Sequence, residues 1–327
     1  MKQLDKPFCT LEEQISILRN RGLIIDSDNI ELVNYSLTSV GYYPLINGYH
    51  KPFLNGAIYE QGVRFEHIYY QYQLDNALHN ICFKYIINIE NTLKNTISYQ
   101  ISEKFNVENN FNNHSVKSYL DKSNYDTNGP VYILKQIIES SEQTKNNPTA
   151  YYRENKNHIP PWVLLKNIPL GQVNLLFKIL PSKMKQEIID NFISIPDENY
   201  QLKVEMFNNS LDIIREFRNC IAHSYRLYAF KSKKSLSKQG IKLMLGPDSI
   251  TTKEYSNGIG TNDFLALLYS ITILTSAKHE RANFILELEN FERTYINKPT
   301  IYSTFLNSSQ LPTDYLNRIR KGDNFRN

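Results

Sequence analysis

The strongest helical pattern in the chain lies at residues 65–102, FEHIYYQYQLDNALHNICFKYIINIENTLKNTISYQIS. Its apolar positions recur at helical spacing and fall within roughly 100° of one another on a helical wheel. They are Leu74, Leu78, Ile81, Cys82, Tyr85, Ile89 and Leu93. Asn and Lys residues cover the opposite side, and the stretch contains neither proline nor glycine. The pattern predicts one long helix whose apolar stripe is buried in a core.

Shorter helices are predicted on both sides of this long one. The signals are apolar periodicity, polar residues at helix starts, and glycine or proline where helices end. The predicted helices cover residues 11–21, 29–40, 131–143, 211–228 and 263–295, and residues 159–180 form a further apolar segment. The chain is therefore predicted to be all-α.

Glycine, proline and polar residues indicate the connections and the domain organisation. Residues 45–55 are predicted to be a loop, and residues 231–262 a long loop or small hairpin. We expect an N-terminal helical region at residues 1–64 and a helical domain at residues 65–327. This domain carries a long polar insertion around residues 103–160, rich in Asn, Ser and Asp.

Composition and charge bound the class of function. The 327 residues are 41% hydrophobic and 21% charged, which is typical of a globular protein. A net charge of +4 permits a polyanionic partner without requiring one. Cys9, Cys82 and Cys220 lie far apart, so no disulfide, metal or cofactor is expected. The N-terminus lacks the apolar region of a signal peptide and no apolar stretch is long enough to span a bilayer, which favours a cytoplasmic protein.

Residues 211–228, LDIIREFRNCIAHSYRLY, carry the candidate chemistry. On a helical wheel Arg215, Asn219, His223 and Arg226 lie on one side with Arg218 flanking them, and apolar residues lie on the other. Arginine binds phosphate oxygens in a fork, and histidine moves a proton near neutral pH. The pattern predicts a surface that handles a phosphodiester.

The spacing is not specific by itself. Arg-x4-His occurs at Arg218/His223 and again at Arg153/His158. The second match lies in polar sequence shortly before Pro160, where a helix is disfavoured, and we interpret it as coincidence. A solvated helix face with a structural histidine is the plain alternative for the first match.

Taken with its neighbours, the motif resembles a known family. RNCIAHSYRLY, residues 218–228, is similar to the Arg-Asn-x-x-x-His signature of HEPN-domain ribonucleases. It is more closely similar to Abi-like abortive-infection proteins, which include AbiD and AbiF. Four other segments follow that family's order: CTLEEQISILRNRGLII, VGYYPLINGYHKPF, YQLDNALHNICFKYIINIENTLKNTIS and PPWVLLKNIPLGQVNLLFKIL. The resemblance covers about residues 4–230 and implies a HEPN-like helical bundle; the chain departs from the family pattern after Asp75 and after Tyr228.

The resemblance implies a metal-independent endoribonuclease that acts as an anti-phage toxin. Arg218 would hold the scissile phosphate and His223 would transfer protons. Asn219 would orient the imidazole or contact phosphate, and an ordinary exposed polar residue is an equally good interpretation of it. Attack by the ribose 2′-hydroxyl would leave a 2′,3′-cyclic phosphate and confine the enzyme to RNA. Because one chain carries one motif, the resemblance also implies a homodimer.

RNA is the implied substrate, and a small noncoding RNA that acts as antitoxin is an implied further partner. Arg215, Arg226, Lys231, Lys233 and Lys234 are the candidate RNA-binding residues. Solvated loop lysines are the ordinary interpretation of the last three.

Other interpretations of the sequence remain open. A catalytically silent HEPN module that binds RNA or a protein is the main alternative, although the complete Arg-Asn-x-x-x-His set favours catalysis. A DNA-binding regulator ranks last, because residues 29–40 contain Glu31 and no lysine or arginine. Glu90 on the long helix is a candidate partner for an arginine of the motif helix, with an exposed pair to Lys94 as the alternative.

Overall fold

A computed structural model describes residues 7–108, 118–193, 195 and 199–325. Within these ranges the chain is an all-α bundle with one short antiparallel hairpin, which confirms the predicted fold class. The α-helices are α1 (Leu11–Asn20), α2 (Ile30–Ser39), α3 (Phe65–Phe105), α4 (Tyr132–Gln143), α5 (Thr149–Asn155), α6 (Pro161–Leu164), α7 (Leu170–Lys178), α8 (Ser182–Phe192), α9 (Tyr200–Ala222), α10 (Lys238–Leu245), α11 (Thr252–Ser256), α12 (Phe264–Leu274), α13 (Lys278–Ile296), α14 (Pro299–Ser309) and α15 (Tyr315–Phe325). The hairpin pairs β1 (Leu54–Asn55) with β2 (Ile58–Tyr59).

Helix α3 is the central element of the bundle. Its 41 residues extend over about 60 Å at 1.5 Å per residue. The predicted apolar stripe is buried except for Ile81, which is half-buried against the core. Helices α6, α8, α9, α12, α13 and α14 all contact α3. Because α3 is covered on several sides, polar residues such as Asp75, His79 and Glu90 are buried as well.

Helix α12 is the second buried element. All eleven of its residues are buried, and it packs against α9, α3 and α15. The sequence predicts a single helix over residues 263–295, and this is wrong, because the chain leaves the helical conformation between Leu274 and Lys278. The Arg281 guanidinium explains the break, since its Nη1 donates to the carbonyl oxygens of Thr275 and Ser276 at the end of α12.

The regions predicted to be loops hold additional helices. The prediction of a loop or hairpin over residues 231–262 is wrong, because α10 and α11 form there. The hydroxyl of Ser237 caps α10, and Thr251 forms a capping box at the start of α11. Residues 45–55 likewise include part of a helical turn, Tyr43–Asn47, and the strand β1.

The second Arg-x4-His match also lies partly in a helix. Arg153 is in α5, contrary to the expectation that no helix forms before Pro160. The helix ends at Asn155, so His158 lies outside it. The Arg153 guanidinium donates through Nη1 to the carbonyl oxygens of Ser141 and Thr144. Arg153 therefore joins α5 to the end of α4.

The N-terminal region packs onto the rest of the bundle. Leu45, Ile46 and Tyr49 are buried in the same hydrophobic cluster as the apolar residues of α3, α9 and α12. A two-residue parallel contact between Ile24 and Arg64 joins the segment after α1 to the start of α3. None of the helices in the described part of the chain combines the length and apolar character needed to cross a bilayer.

Candidate active site

Helix α9 carries the motif and is amphipathic as predicted. Its apolar residues, Phe207, Ile213, Ile214, Phe217 and Cys220 among them, are buried. They face α12 and α3, against which α9 packs. Outside this buried face, Arg215 and Arg218 are half-buried and Asn219 is exposed.

The end of α9 differs from the prediction. The sequence predicts a helix over residues 211–228, but α9 ends at Ala222 and His223 is its C-terminal cap. Ser224 adopts a left-handed conformation with φ of 53°. The amide of Ser224 donates to the carbonyl of Ile221 at 3.0 Å, and that of Tyr225 donates to the carbonyl of Cys220 at 3.0 Å. These two bonds form a Schellman motif, so the chain turns away immediately after His223.

His223 projects from the exposed end of the helix. Its backbone amide donates to the carbonyl of Asn219 at 3.1 Å, so Asn219 lies one turn before it. Both side chains are exposed. The imidazole lies beside the ring of Tyr225, with 5.8 Å between ring centroids, and Tyr225 is itself 61% exposed. The histidine is thus open to solvent and flanked by an aromatic face.

Arg226 does not lie on the same helix face as Arg215 and Asn219, because the helix has ended before it. Its Nη1 donates to the carbonyl of Gly48 at 2.9 Å. Its guanidinium carbon lies 5.6 Å from the centroid of the Tyr228 ring. The predicted alignment of Arg226 with the motif is therefore wrong, and the side chain contacts the N-terminal region instead.

Arg218 lies opposite a buried carboxylate. Its Nε is 3.9 Å from Oε2 of Glu90, which is 6% exposed. The other oxygen of Glu90 pairs with Nζ of Lys94 at 2.7 Å, and Lys94 is 8% exposed. Glu90 therefore faces both partners that the sequence suggests, and its pair with Lys94 is buried rather than exposed. Within the described residues, Nη1 and Nη2 of Arg218 form no hydrogen bond or ion pair.

Arg215 and the lysine segment meet at Glu216. Arg215 lies 3.5 Å from Asp212 and 3.3 Å from Glu216, measured between Nε and Oδ1 and between Nη2 and Oε1. The second oxygen of Glu216 accepts hydrogen bonds from the Ser232 hydroxyl at 3.0 Å and from the Lys233 amide at 2.8 Å. The structure thus anchors the segment of Lys231, Lys233 and Lys234 to α9, and all three of these lysines are exposed.

A buried polar stripe on α3 was not predicted to belong to the site. Asp75 is fully buried and accepts from the amides of Leu227 at 2.9 Å and Tyr228 at 3.3 Å. It also accepts from the Tyr49 hydroxyl at 2.7 Å. Nε2 of His79 lies 3.1 Å from the carbonyl oxygen of Tyr225. The sequence signal for this stripe is the run of polar residues Gln71, Asp75 and His79, spaced by four on a helix that otherwise buries apolar residues.

The described residues contain no group of three or more His, Cys, Asp or Glu side chains arranged to hold a metal ion. The three cysteines are free thiols. Cys220 lies on the buried face of α9, and burial together with the charge of Asp75 raises its pKa to about 12. A thiol with so high a pKa is a poor nucleophile at neutral pH.

Comparison with known proteins gives one match. The family model described as Abi-like protein matches residues 35–229, a range that runs from α2 through α3 to the segment after α9. No curated protein matches the chain, and neither does any solved structure. The matched range is more than half of the chain and contains the whole Arg-Asn-x-x-x-His motif. The chain therefore belongs to the Abi-like protein family.

Proposed function

We propose that this chain is a metal-independent endoribonuclease of the HEPN type, acting as an abortive-infection toxin. Membership of the Abi-like family supports a role in abortive infection in general. The observation that carries the finer proposal is the end of α9, where Asn219 and His223 are exposed and the half-buried Arg218 precedes Asn219 and faces Glu90. The proposal assigns Arg218 to the phosphate, His223 to proton transfer and Asn219 to orientation of the imidazole or contact with the phosphate.

The environment of Arg218 supports its assignment. Glu90 faces Nε from the buried side at 3.9 Å. The two terminal nitrogens are left available, and their fork matches two oxygens of one phosphate. A buried carboxylate behind the guanidinium would hold this fork at the surface. Positive charge fixed in this way stabilises the negative charge that develops on a phosphodiester during cleavage.

The proposed reaction is attack of the ribose 2′-oxygen on the adjacent phosphorus. The new bond from the 2′-oxygen closes a 2′,3′-cyclic phosphate, and the bond to the 5′-oxygen of the next nucleotide breaks. One group must take the proton of the 2′-hydroxyl, and another must give a proton to the departing 5′-oxygen. An imidazole does either, but one imidazole does not do both in a single step. This requirement supports the proposal of a homodimer in which two copies of His223 face one cleft.

The proposed RNA path leads from Arg218 towards the lysine segment. Lys231, Lys233 and Lys234 are exposed next to α9 and are held there through Glu216. Lysines in such a row neutralise successive phosphates of a nucleic-acid backbone. A small noncoding RNA lying along the same path would block the cleft. We propose this as the means by which the toxin is restrained.

The test is cleavage of RNA by the purified protein in EDTA, with His223→Ala and His279→Ala compared with the wild type. His279 is the matched control, because its side chain is 77% exposed on α13, away from the motif helix. The proposal predicts 2′,3′-cyclic ends from the wild type and from His279→Ala. It predicts a loss of about 10²–10⁴-fold in rate for His223→Ala, the usual contribution of general acid–base catalysis.

Two outcomes would overturn the proposal. Equal cleavage by wild type and His223→Ala would place the activity elsewhere. Absence of cleavage by wild-type protein stripped of co-purified RNA, with RNA binding retained, would favour the catalytically silent HEPN module. Growth arrest on overproduction provides a parallel readout, since His223→Ala is expected to relieve it and His279→Ala is not.

A further inference from the structure

The segment that follows His223 is held from beneath by α3. Residues 222–225 are all exposed, whereas Leu227 and Tyr228 are buried. The backbone amides of Leu227 and Tyr228 donate to Asp75, and the carbonyl oxygen of Tyr225 lies 3.1 Å from Nε2 of His79. The contacts that fix this segment therefore come from two side chains that are more than 140 residues away in the chain.

A histidine at the end of a helix needs such support. Terminal helical turns fray, because their last carbonyls lack partners within the helix. The left-handed conformation of Ser224 is unfavourable for a residue that is not glycine. The two Schellman bonds lie on the exposed side, where water competes for them. Without the contacts to Asp75 and His79, the segment would be held by these bonds, by Sγ of Cys220, which donates to the Tyr225 carbonyl at 3.6 Å, and by Arg226, which donates to the Gly48 carbonyl.

The buried charge of Asp75 requires specific hydrogen-bond partners. A fully buried carboxylate is stable only when donors satisfy its oxygens, and here two of the three hydrogen-bond donors are backbone amides of the segment itself. The third is the Tyr49 hydroxyl, and burial and Asp75 raise the pKa of this phenol, so it remains a donor. Because the Tyr225 carbonyl only accepts, Nε2 of His79 must carry the proton and donate. If residues 225–228 shifted by one residue relative to α3, Asp75 and His79 would lose these hydrogen-bond partners.

We propose that Asp75 and His79 are positioning residues that fix the imidazole of His223 by holding residues 225–228, and that Tyr49 completes their support. This inference rests on the proposed function. The N-terminal region also contacts this part of the chain, because Arg226 donates to the Gly48 carbonyl and Tyr49 donates to Asp75. The N-terminal region thus supports the orientation of the site as well as the core.

The test compares substitutions that each remove one buried or half-buried group. Tyr49→Phe removes the donor to Asp75, and its control is Tyr125→Phe, which removes a buried hydroxyl that donates to the Tyr119 carbonyl at 2.9 Å. His79→Leu removes the donor to Tyr225, and its control is His67→Leu on the same helix. For each variant kcat, the Kd for RNA and Tm are measured, and rates are taken well below the lowest Tm.

If these residues position His223, their substitution lowers kcat and leaves the affinity for RNA nearly unchanged. In Tyr49→Phe and His79→Leu, kcat is expected to fall about tenfold or more while the Kd for RNA changes by less than about twofold, because misplacing a catalytic group slows the chemical step. Both controls are expected to retain the wild-type kcat even if their Tm falls. A merely structural role would lower Tm and leave kcat unchanged, and that result would overturn the inference.

A second measurement does not depend on ribonuclease activity. Hydrogen exchange of the Leu227 and Tyr228 amides and the imidazole resonance of His223 are followed in His79→Leu and His67→Leu. The inference predicts faster exchange and a shifted or broadened His223 resonance in His79→Leu alone. If the wild type cuts no RNA, the proposed function fails, and an unchanged His223 resonance in His79→Leu would separately overturn the positioning role.

Discussion

Oε2 of Glu90 lies 3.9 Å from Nε of Arg218, and neither atom makes a hydrogen bond within the described part of the chain. The two atoms face each other across the contact between α3 and α9. Glu90 is buried and is already paired with Lys94 through its other oxygen. Glu90 thus lies between two cations, Arg218 and Lys94. The orientation of Arg218 and the stability of the buried ion pair therefore depend on the same carboxylate.

Substitution of Glu90 by glutamine is expected to affect both stability and activity. It leaves Lys94 buried without a counter-charge, which is expected to lower the free energy of unfolding by about 3 kcal/mol. It also removes the charge behind Arg218, and the rate of RNA cleavage is expected to fall about tenfold with Arg218 less well oriented. Urea unfolding and single-turnover cleavage measure the two effects.

The control for this substitution is Glu139→Gln on α4. Glu139 also pairs with a lysine four residues away, Lys135, but that lysine side chain is 81% exposed and the atoms are 3.6 Å apart. Such surface pairs contribute less than about 1 kcal/mol. Equal stability losses in the two variants would contradict a buried charge arrangement at Glu90.

The lysine segment is expected to set the salt dependence of RNA binding. Replacing its three lysines by glutamine should weaken binding and reduce the slope of log K against log salt by about 2, at about 0.7 for each phosphate contact on a single strand. The control replaces three exposed lysines around α4 and α5, namely Lys135, Lys145 and Lys156. Binding measured at several salt concentrations distinguishes the two, and an unchanged slope in the first variant would exclude the proposed RNA path.

The pair of Glu254 and Arg318 predicts a loss of stability in acid. Hydrogen bonds from Arg318 lower the pKa of Glu254 from 4.5 to about 2. A carboxyl group with a lowered pKa in the folded state contributes stability that is fully present above its unfolded pKa and is lost as the pH falls through its folded pKa. The contribution should therefore decline between pH 4.5 and about pH 2.

Glu254→Gln tests this pH dependence. Thermal unfolding should show the variant to be less stable than the wild type at pH 7, with the difference shrinking as the pH approaches 2. Glu139→Gln is again a suitable control, because its partner is exposed. A difference that stays constant from pH 7 to pH 2 would show that the carboxylate charge does not contribute.

A homodimer is expected from the need for two imidazoles in one cleft. Light scattering should give a mass twice the 38.3 kDa of one chain. Adding excess His223→Ala protein, which forms mixed dimers, should lower the activity of each wild-type subunit. A monomeric mass with full activity would contradict a shared cleft.

The sequence predicts α3 well and α9 only in its second half, because apolar and polar residues alternate with a helical period in residues 65–102 and 211–222. It does not predict the break between α12 and α13. Residues 264–274 are apolar on all sides and have no face to set a boundary, and the break depends on the Arg281 guanidinium reaching back to Thr275 and Ser276. Contacts between separate segments therefore determine where α12 ends and α13 begins. The periodicity of the sequence carries no information about these contacts.

The site is predictable in part for the same reason. The order Arg-Asn-x-x-x-His is local, and in the structure Arg218 is half-buried on α9, Asn219 is exposed beside it, and His223 is exposed at the end of the helix. The turn at Ser224 has no signal in the local sequence, because no glycine is present there. Its support comes from Asp75 and His79 on another helix. The position of Arg226 follows from that turn and is missed together with it.

The proposed reaction requires that RNA be cut by attack of its own 2′-hydroxyl at the end of α9. The most direct test uses an RNA whose cleavage position has been mapped and a second RNA that carries a single 2′-deoxyribose at that position. The proposed reaction predicts that the wild-type protein, in EDTA, leaves the substituted position intact and continues to cut any other positions. Cleavage of the 2′-deoxy position at the unmodified rate would rule out attack by the 2′-hydroxyl.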